Sequence, residues 1–177
     1  MNINTIISMI SDAEIRSLLE QIVALLPGYW FSVPASSSGK YHPTFSLGEG
    51  GLVRHSIVVA YLARRNALAW GMTEWEQDVL TAAGLVHDGL KQGADGSEGH
   101  TVHEHPVLMA NFIREHFAGE AAELMAHCIE SHMGQWTTSK YSDVVLPAPT
   151  DKYQWALSAA DMAAATKELA MAPDFFE

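Results

Sequence analysis

The stretch LVRHSIVVAYLARRNALAW, residues 52–70, and the stretch TEWEQDVLTAAGLVHDGLK, residues 73–91, decide the fold. The first carries a long apolar stripe and stops before Gly71, which predicts a largely buried helix of about five turns. The second opens with Thr73 and Glu76 at capping-box spacing and reads as helical until the polar, glycine-rich QGADGSEG at 92–99.

Outward from this pair the pattern stays helical. Upstream, Ile7, Ile10, Ile15, Leu18, Leu19, Ile22, Val23 and Leu26 recur at steps of three, four and seven, predicting one amphipathic packing helix that ends at Pro27-Gly28. From Tyr29 to Gly50 the chain turns irregular, and long loops in compact domains often carry function. Downstream, Pro106 suits the first turn of a helix through about His116, and Gly119 to Ser131 reads as another. Gly134, Pro147 and Pro149 mark 132–150 as a loop, and Asp151 caps a last helix, KYQWALSAADMAAATKELA. The short DVVLP at 143–147 is the one strand-like candidate, and period-two alternation is not sustained anywhere. The expectation is an all-α, single-domain helical bundle: a packing helix over 1–28, a compact unit with it over 29–170, and a short tail over 171–177.

Composition bounds the function. The 177 residues hold 10 Lys+Arg against 21 Asp+Glu, a formal charge of −11, together with 9 His. An acidic chain lacks the basic footprint for a long nucleic-acid duplex or an anionic membrane surface, whereas histidines are the commonest metal ligands and general acids. Cys128 is the single cysteine and reads as a small buried hydrophobe, so the fold does not rest on a disulfide. The N-terminal residues lack a basic leader, and no apolar run approaches membrane-spanning length; the expected setting is cytoplasmic.

The candidate chemistry lies in His55, the adjacent pair His87-Asp88, His105, His132 and Asp161, drawn from five segments. A divalent ion needs imidazole and carboxylate ligands that converge in space, and a helical bundle supplies them from facing surfaces. Neighbouring residues on one helix point roughly 100° apart, so one of the pair can serve a first ion while the other reaches across, and a carboxylate can bridge two ions. Lys91 lies one helical turn after His87, within reach of a phosphate oxygen. His100 and His116 read as solvated, and His103 and His127 as bystanders.

The order His55, His87-Asp88 and Asp161 resembles that of the HD-domain metal-dependent phosphohydrolases. The flanks GGLVRHS at 50–56 and AAGLVHDGLK at 82–91 are similar to the family's segments around its first ligands, and the resemblance covers roughly residues 29–170. It implies that His55, His87, Asp88 and Asp161 hold one divalent ion. EHPVLMANFI at 104–113 and CIESHMG at 128–134 resemble the additions found in two-metal branches, which implies a second ion on Asp88, His105 and His132. The HD-GYP branch carries two consecutive histidines and a Gly-Tyr-Pro motif; here Ser131 precedes His132 and the motif is absent.

PASSSGKYHPTFSLGEGGLVRH at 34–55 is similar to the lead-in of HD domains related to 3′–5′ exoribonucleases and relaxase-associated hydrolases, which makes Lys40 and His42 candidates to line the site. Arg54, beside a ligand, and Trp136, able to stack on a base, complete the substrate candidates. The implied activity is hydrolysis of a nucleotide or short oligonucleotide phosphoester by a metal-activated water, with Asp88 and Lys91 catalytic and two ions per chain drawn from Mn, Fe, Ni, Co, Zn or Mg. A mononuclear nucleotidase or dNTP triphosphohydrolase, and a catalytically silent nucleotide-binding module, are the rival readings. In each, the expected partner is a phosphorylated small molecule, a nucleotide or a nucleic-acid end.

Overall fold

The computed structural model describes residues 1–36, 39–40, 42–172 and 174–177. Among them run seven α-helices: α1 (Ile3–Ser8), α2 (Ala13–Leu25), α3 (Gly51–Ala69), α4 (Glu74–Val86), α5 (His105–His116), α6 (Glu120–Ile129) and α7 (Lys152–Ala164). No strand occurs among the described residues, and the architecture is the expected all-α bundle. Residues 143–147 stay irregular, because their only sheet-like neighbour is an isolated bridge between Ser139 and Ser142. Ser37, Ser38 and Tyr41 of the 34–55 lead-in, and Pro173 of the tail, lie outside the described residues.

The α3–α4 pair is the spine. Gly50 takes a left-handed conformation (φ 68°) at the start of α3, which a side chain rarely adopts. Gly84 explains how closely α4 lies on α3: a Cβ there would stand 2.8 Å from the Ala60 Cα. The Thr73–Glu76 capping box starts α4 as the spacing predicts, with both reciprocal hydrogen bonds formed. Helix α7 packs on α3, tied by the Asn66 amide donating to the Ala156 carbonyl at 3.0 Å. Helices α5 and α6 pair with each other, and α6 rests on α4. Val58, Val59, Leu80, Leu85, Met109, Met125 and Cys128 are fully buried between these layers.

The N-terminal helix departs from expectation. It is two helices, broken between Met9 and Asp12. The backbone amides of Ser11 and Asp12 donate to Oδ2 of the buried Asp78 at 2.8 and 2.9 Å, so they leave the helical ladder. The Asp12 carboxylate then caps α2 through Glu14 N and Ile15 N. Helix α7 ends at Ala164, six residues short of the expected run. There the Thr166 hydroxyl donates to the Met162 carbonyl, and Leu169 and Met171 turn back onto the core. The tail folds onto the N-terminus: Phe175 and Phe176 pack beside Tyr61 and Phe45, and the Met1 amino group donates to the Phe175 carbonyl. No helix among the described residues is long and apolar enough to cross a membrane.

Candidate metal centre

Five segments deliver the site. His55 projects from the second turn of α3, His87 caps the end of α4 with Asp88 just beyond it, His105 opens α5, His132 follows α6, and Asp161 lies in α7. The close approach allowed by Gly84 sets the His55 and His87 rings 5.4 Å apart. His55, His87, Asp88, His105 and His132 are all at most 2% exposed, and the Asp161 side chain is 17% exposed.

Asp88 divides the cluster into two lobes. Its Oδ2 faces His87 Nε2 at 3.4 Å and His55 Nε2 at 3.9 Å. Asp161 Oδ1 closes this lobe, 2.9 Å from His55 Nε2 and 3.5 Å from His87 Nε2. The other oxygen, Oδ1, faces His105 Nε2 at 3.0 Å and His132 Nε2 at 3.6 Å. Helix ends make this orientation fixed: His87 Nδ1 faces the Gly84 carbonyl (2.8 Å), His105 Nδ1 that of Val102 (2.6 Å), and His132 Nδ1 that of Ile129 (2.9 Å).

A carbonyl accepts only, so each of these Nδ1 atoms carries a proton and each ring turns its Nε2 inward, with a lone pair there wherever the ring is neutral. His105 Nε2 and His132 Nε2 then stand 3.2 Å apart with a carboxylate oxygen beside them. Two imidazole nitrogens and a carboxylate oxygen converging in a buried space call for a shared positive charge, a proton or a metal ion. His87 Nε2 and Asp88 Oδ1 have no hydrogen-bond partner among the described residues, which repeats the point in both lobes. The residues present therefore fit divalent ions: His55, His87 and Asp88 form one ligand group, which Asp161 adjoins, Asp88, His105 and His132 form a second, and His87, His132 and Asp161 form a third that overlaps both.

Electrostatics follow the same division. Burial pushes His55 and His105 down, toward the neutral form that ligates metal. Burial also disfavours charge on His87, but the flanking Asp88 and Asp161 carboxylates outweigh it and draw positive charge to its ring. Burial alone would raise Asp88 and Asp161; Lys91 and His87 hold the first, and His55 and His87 the second, well below the usual carboxylate range.

A cavity of about 420 Å³ opens onto the cluster, walled by His105, Asp161, Lys91, His42, Trp136 and Met162 among others. Lys91 is ion-paired with Asp88, its side chain 12% exposed. His42 stands 6.0 Å from the His55 ring, centroid to centroid, and burial lowers it to about 4. Lys40 does not line this cavity. Arg54 lies outside it as well: its guanidinium donates to the Phe45, Leu47 and Glu49 carbonyls and pins the loop that leads into α3. His127 pairs with Asp151 at 2.6 Å, joining α6 to the cap of α7. Sequence reasoning missed Tyr29, whose hydroxyl accepts from Gln92 N and donates to the Gly93 carbonyl, holding the turn beyond Lys91. A contact across 63 residues leaves no local signal.

No curated protein and no solved structure matches this chain. The family model described as the HD domain matches residues 52–166, well over half of the chain and a span that contains all six clustered groups. This chain belongs to the HD-domain family, whose members are in general metal-dependent phosphohydrolases that hold divalent cations.

Proposed function

We propose that this chain hydrolyses a phosphodiester of a nucleotide or of a nucleic-acid end, with two divalent ions held between the six ligands. The single observation that carries this reading is Asp88, which turns one oxygen to each of two lobes of inward-facing imidazoles. Bound there, the ions supply charge neutralisation for the phosphoryl oxygens and an acidified water as nucleophile.

The chain's own residues supply the rest. Lys91, in the cavity wall beside Asp88, sets an ammonium where a non-bridging phosphate oxygen would lie. His42, kept neutral by burial, offers a hydrogen-bonding ring without adding charge. Trp136 lines the cavity with a ring 60% exposed, a surface for a base to stack on. A cavity of about 420 Å³ suits a nucleotide rather than a duplex.

Two measurements test the reading. Elemental analysis of protein purified with Mn²⁺ or Fe²⁺ is expected to return close to two ions per chain, and one ion per chain would favour the mononuclear nucleotidase instead. A panel of cyclic dinucleotides, nucleoside phosphates and short RNA and DNA is expected to show hydrolysis of a diester. Binding without cleavage under several metals would make the chain a nucleotide sensor.

A further inference from the structure

A second cavity, of about 570 Å³, also reaches the metal centre, at His105. It shares Thr101, His105 and Met133 with the first, so the two meet at one ligand of the second lobe. The loop after α6 contributes to both: Met133 lines each, Trp136 lines the first, and Tyr141 lines the second. Both rings face solvent, Trp136 at 60% and Tyr141 at 85% exposure. Lys140 takes one face of the Tyr141 ring, its Nζ 4.7 Å from the centroid.

The chemistry of the second cavity differs from that of the first. Glu98 and Glu104 stand in its wall beside His100, and Glu104 already accepts from the Ser142 hydroxyl; the two carboxylates disfavour a phosphate and accept from hydroxyls. His103 also lines it, and its buried Nε2 has no hydrogen-bond partner among the described residues. An uncharged group with hydroxyls, hydrogen-bonding edges and a flat aromatic face fits these walls; a nucleoside without a phosphate of its own has all three.

We infer that the site takes a phosphodiester carrying a nucleoside on each side of the scissile phosphate, one base against Trp136 and the other against Tyr141, with the phosphate at the seam beside His105. The inference rests on the phosphodiesterase reading above, and names its substrate as a two-base diester rather than an ester with one base.

Affinity tests this on the full chain loaded with Mn²⁺, by calorimetry, with two probes whose scissile P–O bond is replaced by P–CH₂: a methylenephosphonate-linked diadenosine, and the matching adenosine methyl phosphonate ester, which keeps the charge and loses one base. The wild type is expected to prefer the two-base probe by about tenfold or more, the scale of one base–aromatic stack. Tyr141→Ala is expected to cut that preference about tenfold, and Tyr141→Phe to restore it, because the ring and not the hydroxyl does the stacking. Equal affinities in the wild type, or a preference that survives Tyr141→Ala, overturns the second subsite. Turnover of the oxygen diesters separates the two readings. Ring-dependent preference with no cleavage under Mn²⁺, Fe²⁺ or Zn²⁺ sinks the hydrolase and leaves the two-base site standing, and binding of neither probe overturns both.

Discussion

Asp78 and Asp88 lie ten residues apart, one in α4 and one just past its end, and each is 1% exposed. Their surroundings are opposite. Asp78 meets only donors: Arg64 Nη1 on Oδ1 at 2.6 Å, and the Ser11 and Asp12 amides on Oδ2 at 2.8 and 2.9 Å. Asp88 meets one ammonium, that of Lys91, and otherwise imidazole nitrogens: those of His87, His105 and His132, whose rings already spend a proton on a backbone carbonyl, and that of His55, whose Nδ1 has no partner among the described residues. A buried carboxylate ringed by fixed donors is a staple. One ringed by lone pairs is a receptor for a cation, and the difference is visible without any ion present.

Replacing each carboxylate breaks the comparison most directly. Asp88→Ala is expected to abolish binding at both metal positions and to lower turnover by about a thousandfold or more. In the presence of chelator its melting temperature should fall less than that of Asp78→Ala, because the loss of the Lys91 and His87 pairings is offset by relief of the crowded cluster. A large loss of metal-free stability would show Asp88 to be a second staple. Asp78→Ala has the reverse signature. It leaves the Arg64 guanidinium and two backbone amides without their acceptor, and the folded state should lose about 3 kcal/mol. Metal stoichiometry of the folded fraction should not change; if ions are lost as well, the two carboxylates are not independent.

The division within the cluster sharpens the same point on a smaller scale. Of the two Asp88 oxygens His132 faces Oδ1, while its ring also lies 4.8 Å from that of His87, so His132→Ala is expected to weaken mainly one ion and leave the other bound by His55, His87, Asp88 and Asp161. Metal affinity at the affected position should fall by about a hundredfold. Equal loss of both ions in His132→Ala and Asp88→Ala would contradict the partition.

What the sequence made legible divides along the same lines. Five of the six clustered groups stand in short local patterns: a glycine turn before His55, the adjacent His87-Asp88, Pro106 after His105, and His132 just past an apolar helix; Asp161 stands out only as a lone carboxylate in an alanine-rich helix. The carbonyls that orient His87, His105 and His132 lie three residues upstream, so this part of the site is local too. The staple was not legible, because its parts are far apart in the chain. Apolar periodicity runs unbroken through Ile7, Ile10 and Ile15, and nothing local reports that Asp78, more than sixty residues away, draws the Ser11 and Asp12 amides out of the helix. Arg54 fails for a related reason: an arginine beside a ligand reads alike whether its fork meets phosphate or three carbonyls of its own loop.

The smallest expected effect isolates the staple's far end. Asp12 makes two kinds of contact at the break between α1 and α2: its backbone amide donates to Asp78, and its side chain accepts from Glu14 N and Ile15 N. Asp12→Ala removes only the second and should cost about 1 kcal/mol, the usual size of a lost N-cap. Asp12→Asn keeps an acceptor at the cap and should cost only a few tenths of that. Chemical denaturation of both variants reads the difference. If Asp12→Ala costs as much as Asp78→Ala, the break is held by the cap and not by the buried carboxylate. If it costs about 1 kcal/mol and leaves the ion count intact, Asp78 is what turns the chain at Ser11, and the staple and the metal receptor are separable parts of one fold.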